Sequence, residues 1–307
     1  MFDLPQRAMT GAPGTLFCFG LGYTALALAR TLMVEGWRVA GTCRTPETRE
    51  DLAGKGIAAE LFERGRPLAA GAFDGVTHLL QSIPPDEGGD PVLDLHGAAL
   101  ARLPQLRWFG YLSTTGVYGD RAGDWVDEQS DLQPTGERGR RRVAAEVGWS
   151  RLAHAEGLPL HIFRLAGIYG PGRSALDSLR AGTAKRIIKL GQVFSRIHVA
   201  DIAQVLRASM ARPHPGAVYN LCDDDPAPPW EVIEHAAELL GVPPPPAVPF
   251  EQAQLSAMAR SFYDDNKRVR NERIKGELGV RLLYPSYREG LQALLSSHSR
   301  GDARESV

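Results

Sequence analysis

Between residues 15 and 43 the hydrophobic pattern changes its period twice. Leu16 to Phe19 is a continuous apolar run, which predicts a buried strand of a parallel sheet. After Gly20 the apolar residues recur at positions 21, 25, 28, 29 and 32, the spacing of one helix face. A second strand-like run follows at 37–43. A strand, a glycine turn, a helix and a strand in this order predict a βαβ unit.

Later apolar runs extend the prediction from one unit to a whole sheet. Strands are predicted at 57–62, 76–81 and 108–112, and helices at 92–103 and 230–240. Strands that alternate with helices indicate an α/β fold, here a Rossmann-type doubly wound parallel sheet with a small C-terminal substrate lobe.

The domain boundaries follow from the turn-rich stretches between these runs. We expect the sheet domain to span 14–170, with a strand and a helix at about 193–224 returning to it. The smaller lobe would comprise 171–192 and 225–296. Residues 1–13 and 297–307 are predicted to be tails, and the first of them lacks the charged-then-apolar order of a secretory signal.

The glycine turn after the first strand is typical of a site for the diphosphate of NAD or NADP. Gly20 permits a tight turn, and Gly22 removes the Cβ that would block the phosphates. The next residues, Tyr23 and Thr24, would begin the helix, whose free N–H groups and positive dipole end attract phosphate. The alternative is a plain strand-to-helix turn, since such turns are common in α/β chains.

The end of the second strand bears on the choice of cofactor. A free ribose 2′-hydroxyl usually meets an acidic residue about 20 residues past the glycine turn, but Thr42 and Arg44 stand there. A guanidinium suits a 2′-phosphate, so we predict NADP in preference to NAD. Two alternatives stay open: Arg44 is a solvated loop residue, or Glu47 binds the ribose. Ser82 and Ile83 follow the fourth strand and are expected to line the cofactor crevice.

Composition excludes several classes of function. The 307 residues carry a formal net charge of −1, which argues against general nucleic-acid binding. No apolar run has membrane-spanning length, and no cluster has metal-ligand spacing. Three scattered cysteines suit a small-residue role in a reducing cytoplasm. We expect a cytoplasmic monomer or homodimer with a small-molecule substrate.

Several later motifs together resemble one family. The fifth strand runs into Ser113-Thr-Thr-Gly-Val-Tyr-Gly119, and further on come Phe163-Arg-Leu-Ala-Gly-Ile-Tyr-Gly-Pro-Gly-Arg173 and Ser195-Arg-Ile-His-Val-Ala-Asp201. These stretches resemble the extended short-chain dehydrogenase/reductase family, also called the NAD-dependent epimerase/dehydratase family. The resemblance covers nearly the whole chain. Asp201 is separately predicted to be the N-cap of the following helix.

The resemblance implies that Thr114, four residues before Tyr118, hydrogen-bonds the reacting oxygen. Ser113 is a weaker alternative for this role. The family also places a Tyr-x-x-x-Lys pair on the next helix, where its tyrosine is the acid/base. At the matching positions this chain has Arg138 and Arg142. The pattern resembles the atypical branch of the family, which lacks that pair.

A guanidinium keeps its proton near neutral pH, so Arg138 cannot be an ordinary acid/base. It could stabilise an oxyanion as an electrophile, and Arg142 could hold the nicotinamide ribose and phosphates. Tyr118 is the preferred substitute proton carrier, with Glu137 and Glu128 as alternatives.

Arg173 and Arg196 lie in the segments expected to contact substrate, and their charge suits an anionic molecule. We therefore predict an oxidoreductase or epimerase that transfers hydride on a small hydroxy or keto compound, a class that includes anionic and sugar-like molecules. The alternative from another class is a non-catalytic NADP-binding redox sensor or regulatory protein.

Overall fold

The computed structural model describes residues 13–305, and their side chains as far as residue 297 with the exception of residue 70. Residues 1–12 of the predicted N-terminal tail lie outside this range, as do residues 306 and 307.

The strands and helices of this range follow in chain order. The strands are β1 (Thr15–Phe19), β2 (Arg38–Cys43), β3 (Ala58–Leu61), β4 (His78–Gln81), β5 (Trp108–Thr114), β6 (Trp125–Val126), β7 (Leu160–Leu165), β8 (Gly167–Tyr169), β9 (Arg186–Ile188), β10 (Arg196–His198), β11 (Val218–Leu221), β12 (Ala247–Pro249) and β13 (Arg268–Val269). The α-helices are α1 (Tyr23–Val34), α2 (Pro46–Gly54), α3 (Pro91–Ala101), α4 (Glu137–Glu156), α5 (Ala175–Arg180), α6 (Val199–Ala211), α7 (Pro229–Leu240), α8 (Ala257–Ser261), α9 (Glu272–Gly276) and α10 (Tyr287–Glu305). Short 3₁₀ helices lie at Ala70–Phe73, Thr115–Tyr118 and Phe250–Gln252.

Within the described residues, seven strands form one sheet in the order β11-β7-β5-β4-β1-β2-β3, and every neighbouring pair is parallel. The chain builds outward from β1 through β2 to β3 and then returns to β4 on the other side. The direction of winding therefore reverses between β1 and β4. In such sheets ligands bind in the crevice at this reversal, beyond the carboxyl ends of the strands.

Both faces of the sheet are buried, as the continuous apolar run of β1 predicts. Leu16 and Cys18 point into a core shared with α1 and α6. Phe17 and Phe19 point into a second core, which includes Trp149 of α4. Because helices cover both faces, the predicted α/β class and doubly wound parallel sheet are confirmed.

The C-terminal part of the chain builds a smaller core of its own. Tyr169, Leu176, Ala236, Tyr287 and Leu291 pack where α5, α7 and α10 meet. The returning elements join the main body, since β11 pairs with β7 and α6 packs on α1. Helix α10 continues from Tyr287 to Glu305, so the polar residues predicted as a tail from 297 are helical as far as 305.

The predicted N-cap role of Asp201 is wrong. Helix α6 begins at Val199, and the side chain of His198 caps it by accepting from Ala200 N at 3.2 Å. The buried Asp201 carboxylate instead accepts from Leu283 N at 2.6 Å and Tyr284 N at 3.1 Å. It therefore ties the start of α6 to the segment that leads into α10.

Candidate functional site

The turn between β1 and α1 has the shape that the glycine pattern predicts. Gly20 adopts φ +85°, and a Cβ there would lie 2.9 Å from Ser82 Oγ. Gly22 is the N-cap of α1, and a Cβ there would meet no atom within 4 Å. The first turn of α1 contains no acidic residue, and no side chain caps it. The start of the helix is therefore open and electropositive, which fits a diphosphate.

Two hydroxyls hold this turn from beneath. Thr42 on β2 is buried, and its Oγ1 accepts from Gly20 N at 2.8 Å. Ser82, just past β4, donates to Gly20 O at 2.6 Å. Ile83 lies beside it, with its N–H bound to Gln81 Oε1 at 2.9 Å. The sequence predicts that Thr42 contacts the cofactor, but in the structure its hydroxyl supports the glycine turn.

Arg44 is the first residue beyond β2, and its side chain is exposed. Among the described residues it has no hydrogen bond or ion pair, so it is free to meet an anion. The alternative ribose partner, Glu47, lies in the first turn of α2. The Glu47 carboxyl accepts hydrogen bonds from its own backbone N–H and from the Thr45 side chain, and these bonds lower its pKa. The carboxyl is therefore engaged at the start of α2.

Thr114 is the last residue of β5 and is half-buried. Phe19 of β1, Gln81 of β4 and Tyr111 of β5 lie side by side across the sheet, and Phe19 is the last residue before the glycine turn. Thr114 lies three residues further along β5 than Tyr111. Its Oγ1 accepts from Gly116 N at 3.1 Å. Within the described chain its O–H proton has no acceptor, and the hydroxyl can therefore still donate to a ligand.

The two arginines at the Tyr-x-x-x-Lys positions lie one turn apart on α4. Arg142 Nη1 donates to Leu112 O at 2.6 Å and to Tyr111 Oη at 3.2 Å, which holds its charge against the end of β5. Arg138 is exposed, and its guanidinium carbon lies 5.7 Å from the centre of the Phe262 ring. A Cβ on Gly139 would come within 2.9 Å of Gly116 O, so α4 packs closely on the turn after Thr114.

These features give the crevice an open helix start, a free hydroxyl and two cations. The sequence matches the family model described as the NAD dependent epimerase/dehydratase family over residues 20–222. The chain belongs to this family. It is accordingly an NAD(P)-dependent oxidoreductase or epimerase, its cofactor is a nicotinamide dinucleotide, and the non-catalytic sensor is not favoured.

The chain is also similar to individual proteins. The chain is 28% identical to Protein YeeZ of Escherichia coli (strain K12) over 286 residues, 87% of this chain and 94% of that protein. It is 31% identical to a 3-diazoavenalumate denitrifying reductase of Streptomyces sp over 161 residues, 49% of this chain and 51% of that one. The structure of a functionally unknown conserved protein from Silicibacter pomeroyi DSS is 59% identical, with a TM-score of 0.86, and the match covers 93% of this chain and 99% of that one.

Tyr118, at the family's Val-Tyr-Gly position, lies inside the protein and not in the crevice. Its side chain has no exposed surface. Its hydroxyl donates to Asn220 Oδ1 at 2.7 Å and accepts from Arg164 Nη1 at 2.9 Å. Burial raises the pKa of Tyr118 to about 12. The preferred proton carrier of the sequence prediction is therefore corrected, because a phenol enclosed in this way cannot touch a substrate.

The alternative proton carriers are also engaged. The exposed Glu137 carboxylate pairs with Arg140 at 3.0 Å and Arg141 at 3.3 Å. Glu128 accepts from Asn220 N at 2.7 Å, and burial raises the pKa of its carboxyl. Neither carboxylate stands free beside Thr114.

Sequence reasoning missed the buried ion pair beneath the crevice. Glu146 of α4 and Arg164 of β7 meet at 2.7 Å, and Ser113 donates to the same carboxylate. The weaker alternative to Thr114 is thus turned inward. A charged residue in the apolar run of β7 was the available signal, because arginine is rarely buried unless it is paired.

Arg173 and Arg196, the predicted substrate residues, both line a cavity of about 520 Å³ with Tyr169 and Tyr287. Arg196 Nη1 donates to Phe194 O at 2.8 Å and Ala227 O at 3.0 Å, whereas Arg173 is exposed. Thr114 is not among the residues that line this cavity.

Residues 13–305 also bear on metal binding and on membrane crossing. No group of His, Cys, Asp and Glu side chains in this range could hold a metal ion. No helix in the same range is long and apolar enough to cross a membrane.

Proposed function

We propose that this chain is an NADP(H)-dependent oxidoreductase or epimerase that transfers hydride on a small hydroxy or keto compound, with an anionic or sugar-like substrate favoured. One observation carries the proposal. The free hydroxyl of Thr114 at the end of β5, and the charge of Arg142, which α4 holds against Leu112 O of the same strand, lie at the same sheet edge as the open start of α1. Parallel strands bring their carboxyl ends to one edge, where a ligand can span both.

Different residues of the chain would bind different parts of the cofactor. The N–H groups of Tyr23 and Thr24 at the start of α1 would bind the diphosphate, whereas the Gly22 N–H is already bound to Gly20 O at 2.8 Å. Arg142 would bind the nicotinamide ribose. The exposed Arg44 supports NADP, because its free guanidinium matches a 2′-phosphate. When bound, the nicotinamide supplies or accepts the hydride.

Reduction of a carbonyl leaves negative charge on its oxygen, and two groups of this chain can stabilise it. Thr114 donates a hydrogen bond to that oxygen, and Arg138 contributes a fixed positive charge. Since the guanidinium keeps its proton, the proton that completes the alcohol comes from solvent water. Arg196 and its cavity neighbours remain candidates for holding the substrate's anionic group.

Replacing Thr114 by valine tests the proposal, because valine has the same shape and no hydroxyl. The NADPH-loaded protein is first screened against hydroxy and keto metabolites for loss or gain of nicotinamide absorbance. For any compound turned over, Thr114→Val is expected to lower kcat about a hundredfold and leave the Kd for NADPH unchanged. Thr114→Ser, which keeps the hydroxyl, is the matched control and retains most activity. Equal turnover by the valine variant and the native protein would remove Thr114 from the mechanism.

A further inference from the structure

The loop after β8 is a closed turn that fixes the position of Arg173. Gly170 N donates to Arg173 O at 3.1 Å, and Arg173 N donates to Gly170 O at 3.0 Å. Pro171 and Gly172 occupy the two central positions, and Gly172 adopts φ +69°. Proline followed by a left-handed glycine is the preferred sequence of a type II turn. The conformation of the backbone that carries Arg173 is therefore set by the turn's own hydrogen bonds and residues.

This turn is fastened to the start of α1. The hydroxyl of Tyr23, the first residue of the helix, donates to Pro171 O at 3.1 Å. A Cβ on Gly170 would lie 2.6 Å from Tyr23 Oη and 2.7 Å from Val199 Cγ1, so only glycine allows this approach. Two segments about 150 residues apart in sequence thus meet beside the glycine turn.

The side chain of Arg173 extends over this contact. Its guanidinium carbon lies 5.7 Å from the centre of the Tyr23 ring, a stacking that orients the cation. The nearby carboxylate of Asp177 is bound by Ser174 Oγ at 2.6 Å. Across the described residues Arg173 forms no ion pair, and its side chain is exposed. A positive group without a counter-ion therefore stands next to the uncapped start of α1.

We propose that Arg173, carried on the turn fastened by Tyr23, binds the diphosphate of the dinucleotide. This inference rests on the proposed function, and it assigns Arg173 to the cofactor in place of the substrate role predicted from sequence. Helix N–H groups reach the phosphate oxygens from one side only. A planar guanidinium on the other side adds charge-assisted hydrogen bonds to the remaining oxygens.

The diphosphate is common to NADPH, NADH and ADP-ribose, whereas 2′-AMP lacks it. Comparing the binding of these four molecules therefore tests the diphosphate contact. Dissociation constants of the four molecules are measured for the native protein and for Arg173→Gln. We expect about tenfold weaker binding of the first three, the loss typical of a hydrogen bond to a charged group. The affinity for 2′-AMP is expected to stay the same.

Arg180→Gln is the matched control, because Arg180 is also exposed, lies at the end of α5 and is seven residues from Arg173. It should leave all four dissociation constants unchanged, and both variants should keep the native unfolding midpoint. Tyr23→Phe, which frees the turn from α1, should weaken binding of the three diphosphate ligands by a smaller factor.

Three results would overturn the assignment. Unchanged ADP-ribose affinity in Arg173→Gln would end it and leave the proposed function standing. An equal loss for 2′-AMP would mean that the substitution disturbs the fold at large and not the diphosphate contact. A native protein that binds none of the four molecules would end the proposed function itself, and this inference with it.

Discussion

The proposed preference for NADP over NAD rests on one side chain at the end of β2. Arg44 is exposed and unpaired among the described residues, and Glu47, three positions further on, is engaged at the start of α2. A carboxylate at this strand end would repel a 2′-phosphate, whereas a guanidinium can bind it through two parallel hydrogen bonds.

Arg44→Ala should therefore raise the Kd for NADPH about tenfold and leave the Kd for NADH unchanged. Fluorescence titration of the two reduced cofactors measures both values. Arg30→Ala, which removes an exposed arginine from α1, controls for the loss of charge alone. If the native protein binds NADH more tightly than NADPH, or if Arg44→Ala binds NADPH as the native protein does, the 2′-phosphate assignment is wrong.

At the scale of elements, the proposed cofactor site depends on contacts between strands that are distant in the chain. The glycine turn after β1 is held by a hydroxyl from β2 and another from the end of β4. Thr42 is buried, and its hydroxyl, in place of water, accepts the hydrogen bond from the Gly20 N–H. The shape of the turn is thus a property of three neighbouring strands.

Thr42→Val removes that partner without changing the side chain's volume. A buried N–H left unsatisfied costs about 1–3 kcal/mol, so we expect the free energy of unfolding to fall by about this amount and NADPH affinity to fall with it. Urea unfolding and titration measure the two effects. Thr42→Ser, which keeps the hydroxyl, should be close to native, and equal stability of the valine variant would show that the bond contributes nothing.

At the scale of the whole molecule, burial raises the pKa of the Asp201 and Asp223 carboxyls. Asp223 follows β11, has almost no exposed surface, and lies near Arg196. Burial raises the pKa of Asp223 to about 8, and the charge of Arg196 opposes this rise in part. Asp201, which binds the segment before α10, has its pKa raised to about 7 by burial.

These shifts make stability depend on pH, with a definite sign. The pKa of Asp223 is higher in the folded protein than in the unfolded chain, where it is near 3.9. Between these values the folded state binds more protons, so the free energy of unfolding falls as pH rises, by up to about 1.4 kcal/mol per pH unit. Asparagine resembles the protonated acid in shape and does not titrate.

Asp223→Asn should therefore gain stability relative to the native protein as the pH rises from 5 to 8, and the difference should level off above 8. Urea unfolding of both proteins at pH 5, 6.5, 8 and 9 measures it. Other groups that titrate, including Asp201, are present in both proteins and cancel in the comparison. A difference that stays constant with pH would contradict the raised pKa.

The βαβ unit and the class of the sheet could be predicted because each rests on local period. The run at β1 is apolar throughout, and the spacing in α1 changes to that of a helix within a few residues. The roles of Thr114 and Tyr118 could not be separated in this way. Thr114 ends β5 and Tyr118 ends the short 3₁₀ helix that follows it, and the direction of each side chain is set by the elements that pack against this turn.

By itself the sequence determined the strand, glycine turn and helix of the first βαβ unit and the rows of apolar residues that bury both faces of the sheet, because these are short-range preferences. Only the tertiary structure decided which polar side chains reach the crevice. Tyr118 was enclosed by Arg164 and Asn220, whereas Arg173 was brought onto Tyr23 from about 150 residues away. Such partners are chosen by packing between distant segments, and no local pattern encodes which of them meet.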